Sequence, residues 1–433
     1  LVSLDPSPQG QAGFWLLGNV PEPHTWFKDI NSIEAGTWTK IFSDGKIQTS
    51  KYWDIADSWR NAPAVTQTRE HVQSVVRKAV SESVKKHLIS DVPVGVFLSG
   101  GIDSGAIAGL VQDTGFQNMK GITVSFAEFA NKHEDESPIA AFVSKKYGFQ
   151  HHVRQVTKEE FEADLPRILA AMDQPSLDGI NTWYATKAVK ELGLKVVLSG
   201  VGGDELFYGY PSFSQIPKLV KNMNIAHKIP AATSVIDLLM SAKSKRSNNL
   251  RWNYLSQAGR SFFGAYWLRR GVYTPEQLGE LMGTELAHEA LKEFEIEDLI
   301  KSQTGSLSAD AGASVGQMES MIYLRNQLLR DSDWASMDHS VELRTPLVDA
   351  WLLRDLAAVL RSFNTYRGKE LLANSPKYPL DQFIIDRKKT GFGIPLGLWL
   401  KTAATKNDYN VTQGGDESRK WAKLVTQSLY QKF

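Results

Sequence analysis

The sequence of 433 residues contains no cysteine. That absence removes disulfides, cysteine-ligated zinc, iron–sulfur clusters and thiol nucleophiles from the available chemistry. Net charge is equally scarce, because 49 Lys and Arg face 48 Asp and Glu and leave a formal +1. A near-neutral chain gives no reason to expect nucleic acid or an anionic membrane as its main partner. No apolar run approaches the roughly 20 residues that span a bilayer. The opening LVSLDPSPQG has neither a basic n-region nor a long apolar h-region, so no secretory signal is read there. A cytoplasmic location is the expectation. No internal repeat or long low-complexity segment stands out.

What is present fits an ordinary globular protein: 42% hydrophobic and 22% charged residues, on a length that predicts two or three domains. Residues 1–58 read as β-rich, with FWLLGNV, TWTKIFSDG and KIQTSKYWD as short strands around turns such as Asp44-Gly45. Such a piece is too small to bury a good core. It reads as the last strands of a larger β domain, with an exposed edge and an exposed apolar face at FWLLG. Residues 59–433 then read as a second, α/β domain. TQTREHVQSVVRKAVSESVKKHLI has helical periodicity. The strand candidates VGVFLSG, GITVSF, HHVRQV and KVVLSG alternate with helical stretches, which predicts a parallel sheet covered on both faces. Pro211 to Leu329 reads as mostly helical, interrupted by a solvated loop at SAKSKRSNNLRWN. KNDYNVTQGGDESRKW reads as polar and mobile, before a short final helix.

Two glycine loops carry the chemistry. Val96 to Val111 reads VFLSGGIDSGAIAGLV, a strand that ends in Ser99-Gly100-Gly101 and opens a helix near Asp103-Ser104. Glycines let backbone N–H groups approach a ligand, and the helix N-terminus adds partial positive charge. The phosphate-loop lysine of GxxxxGK[ST] is missing. Asp103 would repel a bare phosphate but suits one bridged by Mg²⁺. The plainer alternative is a strand–turn–helix with Gly for packing and Asp as a helix charge. KVVLSGVGGDELFYGY, Lys195 to Tyr210, repeats the design and presents Asp204 and Glu205. In a parallel sheet both loops lie at the carboxyl ends of strands, where ligands bind.

At these residues the chain resembles a known family. SGGIDS is similar to the pyrophosphate loop of the ATP-pyrophosphatases, which include GMP, NAD, argininosuccinate and asparagine synthetases. LSGVGGDELFYGY, DQPSLDGINTW, SMDHSVELRTPLVD and RKKTGFGIP resemble the synthetase domain of the glutamine-hydrolysing asparagine synthetases. The resemblance implies an adenine-nucleotide α-hydrolase-like sheet with a helical C-terminal elaboration. It also implies that residues 1–58 are the end of an Ntn-type amidotransferase domain. The implied reaction activates a carboxylate on ATP, releases pyrophosphate and lets ammonia displace AMP, with aspartate as default substrate. ATP and Mg²⁺ are the implied cofactors. The implied partners are small molecules, aspartate or another carboxylate and ammonia, and a homodimer is compatible with the family.

Carried over position by position, Ser99, Gly100, Gly101 and Ser104 hold pyrophosphate, and Asp103 and Asp204 ligate Mg²⁺. Leu98 and Val124 touch adenosine through their backbones, and Gly200 sits near the nucleotide. Lys389 matches the lysine over the phosphates. Lys388 stands beside it, and two solvated lysines are the alternative. Glu342 reads either as an active-site acid or as the partner of Arg344. Asp331 and Asp333 read as helix-cap and network residues.

The chain departs from the pattern in two places. The acid usual inside the SG-x-G loop is replaced by Val201, which neither takes a proton nor hydrogen-bonds an amine. Glu205 or Glu342 is the nearest substitute. The arginine that aspartate-using enzymes carry near SLDGINTW is also missing, and Asp178 and Asn181 suit a polar or cationic group. These departures keep two alternatives open: adenylation of another carboxylate, as in a tailoring amidotransferase or cyclase, and a non-catalytic nucleotide-binding homologue. The family's glutaminase uses an N-terminal cysteine, so the chain as it stands is not expected to hydrolyse glutamine and is expected to be part of a longer protein. His151-His152 reads as structural, Lys243 to Arg246 as a solvated run, and Asn410-Val411-Thr412 as a glycosylation sequon by pattern alone.

Overall fold

The computed structural model describes residues 2–63, 67–247, 249–293, 295–388, 393–400 and 417–432. Its centre is a five-stranded, wholly parallel sheet. Numbering strands in chain order, β1 (Thr37–Ile41) and β2 (Ile47–Lys51) form a separate antiparallel hairpin. The main sheet comprises β3 (Val94–Phe97), β4 (Lys120–Phe126), β5 (Gln150–Val156), β6 (Val196–Leu198) and β7 (Glu342–Arg344). Its order is β5-β4-β3-β6-β7. The chain builds outward from β3 through β4 to β5, then crosses back to place β6 on the other side of β3. That reversal makes the carboxyl ends of β3 and β6 a topological switch point, the usual ligand crevice of open α/β sheets.

The central strands are short and apolar because both faces are covered. Val94, Val96, Val196, Val197 and Leu198 are all buried. On one face the helix Arg69–His87 turns Val72, Val76, Val80 and Val84 inward at four-residue spacing, beside the buried part of the helix Ile102–Asp113. Each such fully buried valine contributes about 1.5–3 kcal/mol of apolar transfer energy. The other face packs on the helices Lys158–Ala171 and Ile180–Glu191, with Trp183, Trp334, Trp399 and Trp421 in the same cluster.

The N-terminal segment differs from its β-rich reading. Pro8–Leu17, which contains Phe14-Trp15-Leu16-Leu17, is a helix. Ser7 caps it by accepting from Gly10 N at 3.1 Å, Pro8 opens it, and Gly18 ends it in the left-handed region at φ 86°. These are strong stop and start signals, and a short apolar run alone does not separate helix from strand. Its apolar side chains are not exposed. Phe14, Trp15, Leu16 and Leu17 join a second core with the helices Ser212–Ala226 and Phe262–Arg270. The backbone seals the contact, since Val272 N donates to Leu16 O at 3.0 Å and Tyr273 N to Trp15 O at 3.2 Å. The hairpin does expose apolar surface, at Trp38, Ile41 and Ile47.

The described residues between Pro211 and Leu329 are mostly helical, as read. The expected loop at SAKSKRSNNLRWN is instead the end of the helix Ala232–Ser247 followed by a 3₁₀ turn, Leu250–Tyr254. Lys243 lies 3.4 Å from the Trp252 ring centroid, a cation–π contact that holds this basic run in place. Glu319–Leu329 is π-helical, a conformation found often at functional sites. The expected mobile segment and sequon fall largely outside the described residues, and Glu417–Lys432 is the final helix. No helix among the described residues is long and apolar enough to cross a membrane.

Candidate active site

A cleft of about 980 Å³ opens over the carboxyl ends of β3 and β6. Leu98, Ser99, Gly100, Gly101, Asp103, Ser104, Val124, Gly200, Asp204 and Glu205 all line it. The β3 loop is braced from within. Ser99 N donates to Ser104 Oγ at 3.1 Å, the two hydroxyls share a 2.9 Å hydrogen bond, and Gly101 N donates to Ser99 Oγ at 3.1 Å. Gly101 caps the helix Ile102–Asp113 with no side-chain acceptor. The first-turn N–H groups of that helix are therefore available to an anion.

The second loop locks against the first through absent side chains. A Cβ on Gly200 would lie 2.9 Å from Asp103 Cβ and 3.0 Å from Ser104 N, and one on Gly203 would overlap the Asp103 carboxylate. Gly202, at φ 92°, makes the left-handed turn between them. The result is convergence of Asp103 and Asp204 on one cation. Lys369 Nζ pairs with Asp103 and lies 2.8 Å from Asp204 Oδ1. Burial alone would depress this lysine, but the two carboxylates beside it push it up to about 12. Two acids that already draw one cation, beside an uncapped helix N-terminus, fit a metal–phosphate group.

Around the rim, Arg387 pairs with Glu136 at 3.3 Å, donates to His133 O at 2.6 Å and lies against Gly100. Lys388 also lines the cleft. Lys389 lies outside the described residues. Thr123 donates to Leu98 O at 2.7 Å and shares a 2.8 Å hydrogen bond with His151 Nε2, so His151 has a bracing role as read.

Glu205 is 1% exposed and accepts from Tyr210 Oη at 2.8 Å. Burial and the neighbouring Asp204 push its carboxyl up to about 7, against the Tyr210 hydrogen bond that favours ionisation. Behind it, the Arg270 guanidinium lies 4.5 Å from the Tyr210 ring centroid and 3.9 Å from that of Tyr323. Arg270 also pairs with the fully buried Glu319 at 2.8 Å. The π-helical segment thus fixes Tyr210 from behind and brings Tyr323 and Leu328 to the cleft wall.

Glu342 is not brought to the site. It begins β7, pairs with Arg344 at 2.8 Å, and its side chain is 60% exposed. In a parallel strand the cleft lies at the opposite, carboxyl end, so the reading as Arg344's partner is the one the geometry carries. Asp331 departs from its reading in the other direction. It is 2% exposed and lines the cleft with Asp178. Burial first, and Asp178 second, push its carboxyl up to about 8, and burial pushes Asp178 up as well.

Sequence reasoning missed Lys369 and set Asp331 aside. One signal marks both. Lys369 shares a helix face with Leu372 and Ala373, and Asp331 with Trp334 and Ala335, at i+3 and i+4. A charged residue on an inward face needs a partner or a ligand.

The asparagine synthase family matches residues 75–427. The chain is 27% identical over 412 residues to asparagine synthetase [glutamine-hydrolyzing] 1 of Bacillus subtilis, covering 91% of this chain and 60% of that protein. It is 28% identical over 407 residues to a putative asparagine synthetase [glutamine-hydrolyzing] of Mycobacterium tuberculosis, covering 90% and 58%. Over 207 residues it is 32% identical to amidase chyE of Penicillium rubens, covering 44% and 30%. The chain thus spans about three-fifths of the length of the two synthetases. On the extent of the family match, which includes both glycine loops, the chain belongs to the asparagine synthase family.

Proposed function

We propose that this chain is an ATP-dependent, AMP-forming amide ligase. A carboxylate oxygen of the substrate attacks the α-phosphorus, and the bond to pyrophosphate breaks. Ammonia or an amine then attacks the acyl carbon and AMP leaves with the bond electrons. The observation that carries this reading is the convergence of Asp103 and Asp204 on Lys369 beside the uncapped helix of the first glycine loop. A nucleophilic displacement at phosphorus needs positioning and charge neutralisation more than covalent chemistry. In this reading Ser99, Gly100, Gly101 and Ser104 form the pyrophosphate cradle, while Leu98, Val124 and Gly200 border the nucleoside. Asp103 and Asp204 would hold Mg²⁺, which neutralises phosphate charge when bound. Lys369, Arg387 and Lys388 add fixed positive charge on the chain's side, with Lys389 assigned the same role by resemblance.

Glu205 takes the proton of the incoming amine, the part that Val201 is unable to play. A buried carboxyl poised near 7 is matched to proton transfer at neutral pH. Residues 1–58 are read as the close of an amidotransferase-type region, and ammonia reaches this chain free or from another source.

Aspartate is the reference substrate, by the names of the relatives. Another carboxylate is a second reading, favoured by Val201 and by the acid pair Asp178 and Asp331. The test is AMP and pyrophosphate release with Mg²⁺-ATP, ammonium and a panel of carboxylates. Carboxylate-dependent AMP that is lost in Asp103→Asn supports the reading. Unchanged release in that variant overturns the Asp103 assignment.

A further inference from the structure

The cleft carries two kinds of charge. Its described basic residues, Lys369, Arg387 and Lys388, gather with the glycine loops: Lys369 is held by Asp103 and Asp204, and Arg387 lies against Gly100. Another wall is built from segments that carry neither loop: Leu177 and Asp178 ahead of the helix Ile180–Glu191, and Leu328 and Asp331 around the start of the helix Arg330–Met337. The two segments press together through Gly179. At φ 94° it has no Cβ to spare, since one would lie 3.1 Å from Asp331 Cβ and 2.5 Å from the Trp334 ring. Asp178 and Asp331 are thereby neighbours facing one cavity.

One oxygen of this pair is left without a well-formed hydrogen bond. Asp331 Oδ1 accepts from Trp334 Nε1 at 2.9 Å and the Ser176 hydroxyl also supports the carboxylate, while Oδ2 is buried without a well-formed hydrogen bond. Asp178 Oδ1 accepts from the next residue's N–H at 2.9 Å. Among the described residues no Lys, Arg or His forms an ion pair with either acid. Arg330, next in sequence to Asp331, is turned away to Val20 O at 2.7 Å and to Glu22. A buried, unpaired acceptor costs about 1–3 kcal/mol, more when charged, so one on a cleft wall calls for a partner, which a ligand is able to supply.

We propose that this wall recognises a positively charged group on the acyl substrate, a primary amine or guanidine held between Asp178 and Asp331. The inference rests on the ligase reading for the word "acyl"; the binding site itself does not depend on turnover. A second carboxylate, as in aspartate, finds two acids and no described basic residue on this wall. A cation favours the ionised form of both acids, which burial beside one another disfavours, and Leu177 and Leu328 would cover an aliphatic stem. The substrate class is therefore a carboxylate with a basic tail.

The test is calorimetric binding to the purified chain of γ-aminobutyrate, butyrate and succinate, which share a four-carbon frame and differ at the far end. The expected result is that γ-aminobutyrate binds about tenfold or more tightly than the other two, the scale of one charge-assisted contact. That preference is expected to vanish in Asp331→Asn and Asp178→Asn, each checked for an unchanged ATP affinity. Equal affinities, tighter binding of butyrate or succinate, no binding of any of the three, or a preference that survives in both variants would overturn the inference. Failure of the ligase reading looks different: γ-aminobutyrate still binds selectively, but no carboxylate supports AMP formation.

Discussion

The Lys369 ammonium lies 2.8 Å from an Asp204 carboxylate oxygen, with Asp103 on its other side, and so ties the second glycine loop to a helix far along the chain. All three side chains are less than a quarter exposed. In Lys369→Met the two acids lose the ammonium that lies between them. Breaking a buried pair in this way costs on the order of 3 kcal/mol. The expected outcome is a lowered melting temperature in chelator and partial recovery on adding Mg²⁺. A variant that melts with the wild type in chelator contradicts the bracing role.

Glu205 predicts a pH signature. Its carboxyl stands near 7 in the folded chain against 4.5 for the free group. Because the folded value is the raised one, the associated stability is fully present below 4.5 and is lost as pH climbs through 7. That loss has an upper bound of about 3 kcal/mol. Glu205→Gln removes the titration, so denaturant unfolding should show a smaller fall in stability between pH 4.5 and pH 8 than in the wild type. If Glu205 also accepts the amine's proton, kcat/KM falls on the acid side of about 7 in the wild type, and Glu205→Gln is slowed without that limb. An acid limb that persists in the variant assigns the proton transfer elsewhere.

Trp15 tests whether residues 1–58 stand apart from the rest. It is 3% exposed and meets Tyr273 edge-on at 5.6 Å between ring centroids. Trp15→Ala should cost about 3–5 kcal/mol in urea unfolding, as for other large-to-small core changes. The transition should move as a whole, because the same core includes Val315 and Met318, which adjoin the π-helical segment of the cleft. A separate early transition, with the cleft unaffected, would instead make the N-terminal piece an independent unit.

The sheet and its two loops were legible because short apolar strands ending in glycine have few other meanings. The strand order was not, since nothing local says that β6 returns beside β3. The N-terminal helix escaped because FWLLGNV is short enough to fit either period, although Ser7, Pro8 and Gly18 carried the capping signal. Asp103, Asp204 and Glu205 were legible from their loops. Lys369 and the role of Asp331 were not, because each sits on a helix with no motif around it, and what matters is the inward face it shares with apolar neighbours. Glu342 misled for the converse reason: motif placed it near the site, but its position at the start of a parallel strand puts it at the far end from the cleft.

The central claim is that a carboxylate oxygen attacks the α-phosphorus of ATP in this cleft. Transfer of heavy oxygen from a labelled carboxylate substrate tests it directly. With Mg²⁺-ATP, ammonium and the carboxylate that gives most AMP, mass spectrometry should find one labelled oxygen in AMP and none in pyrophosphate. AMP without label, or ADP and phosphate as the products, would contradict the account.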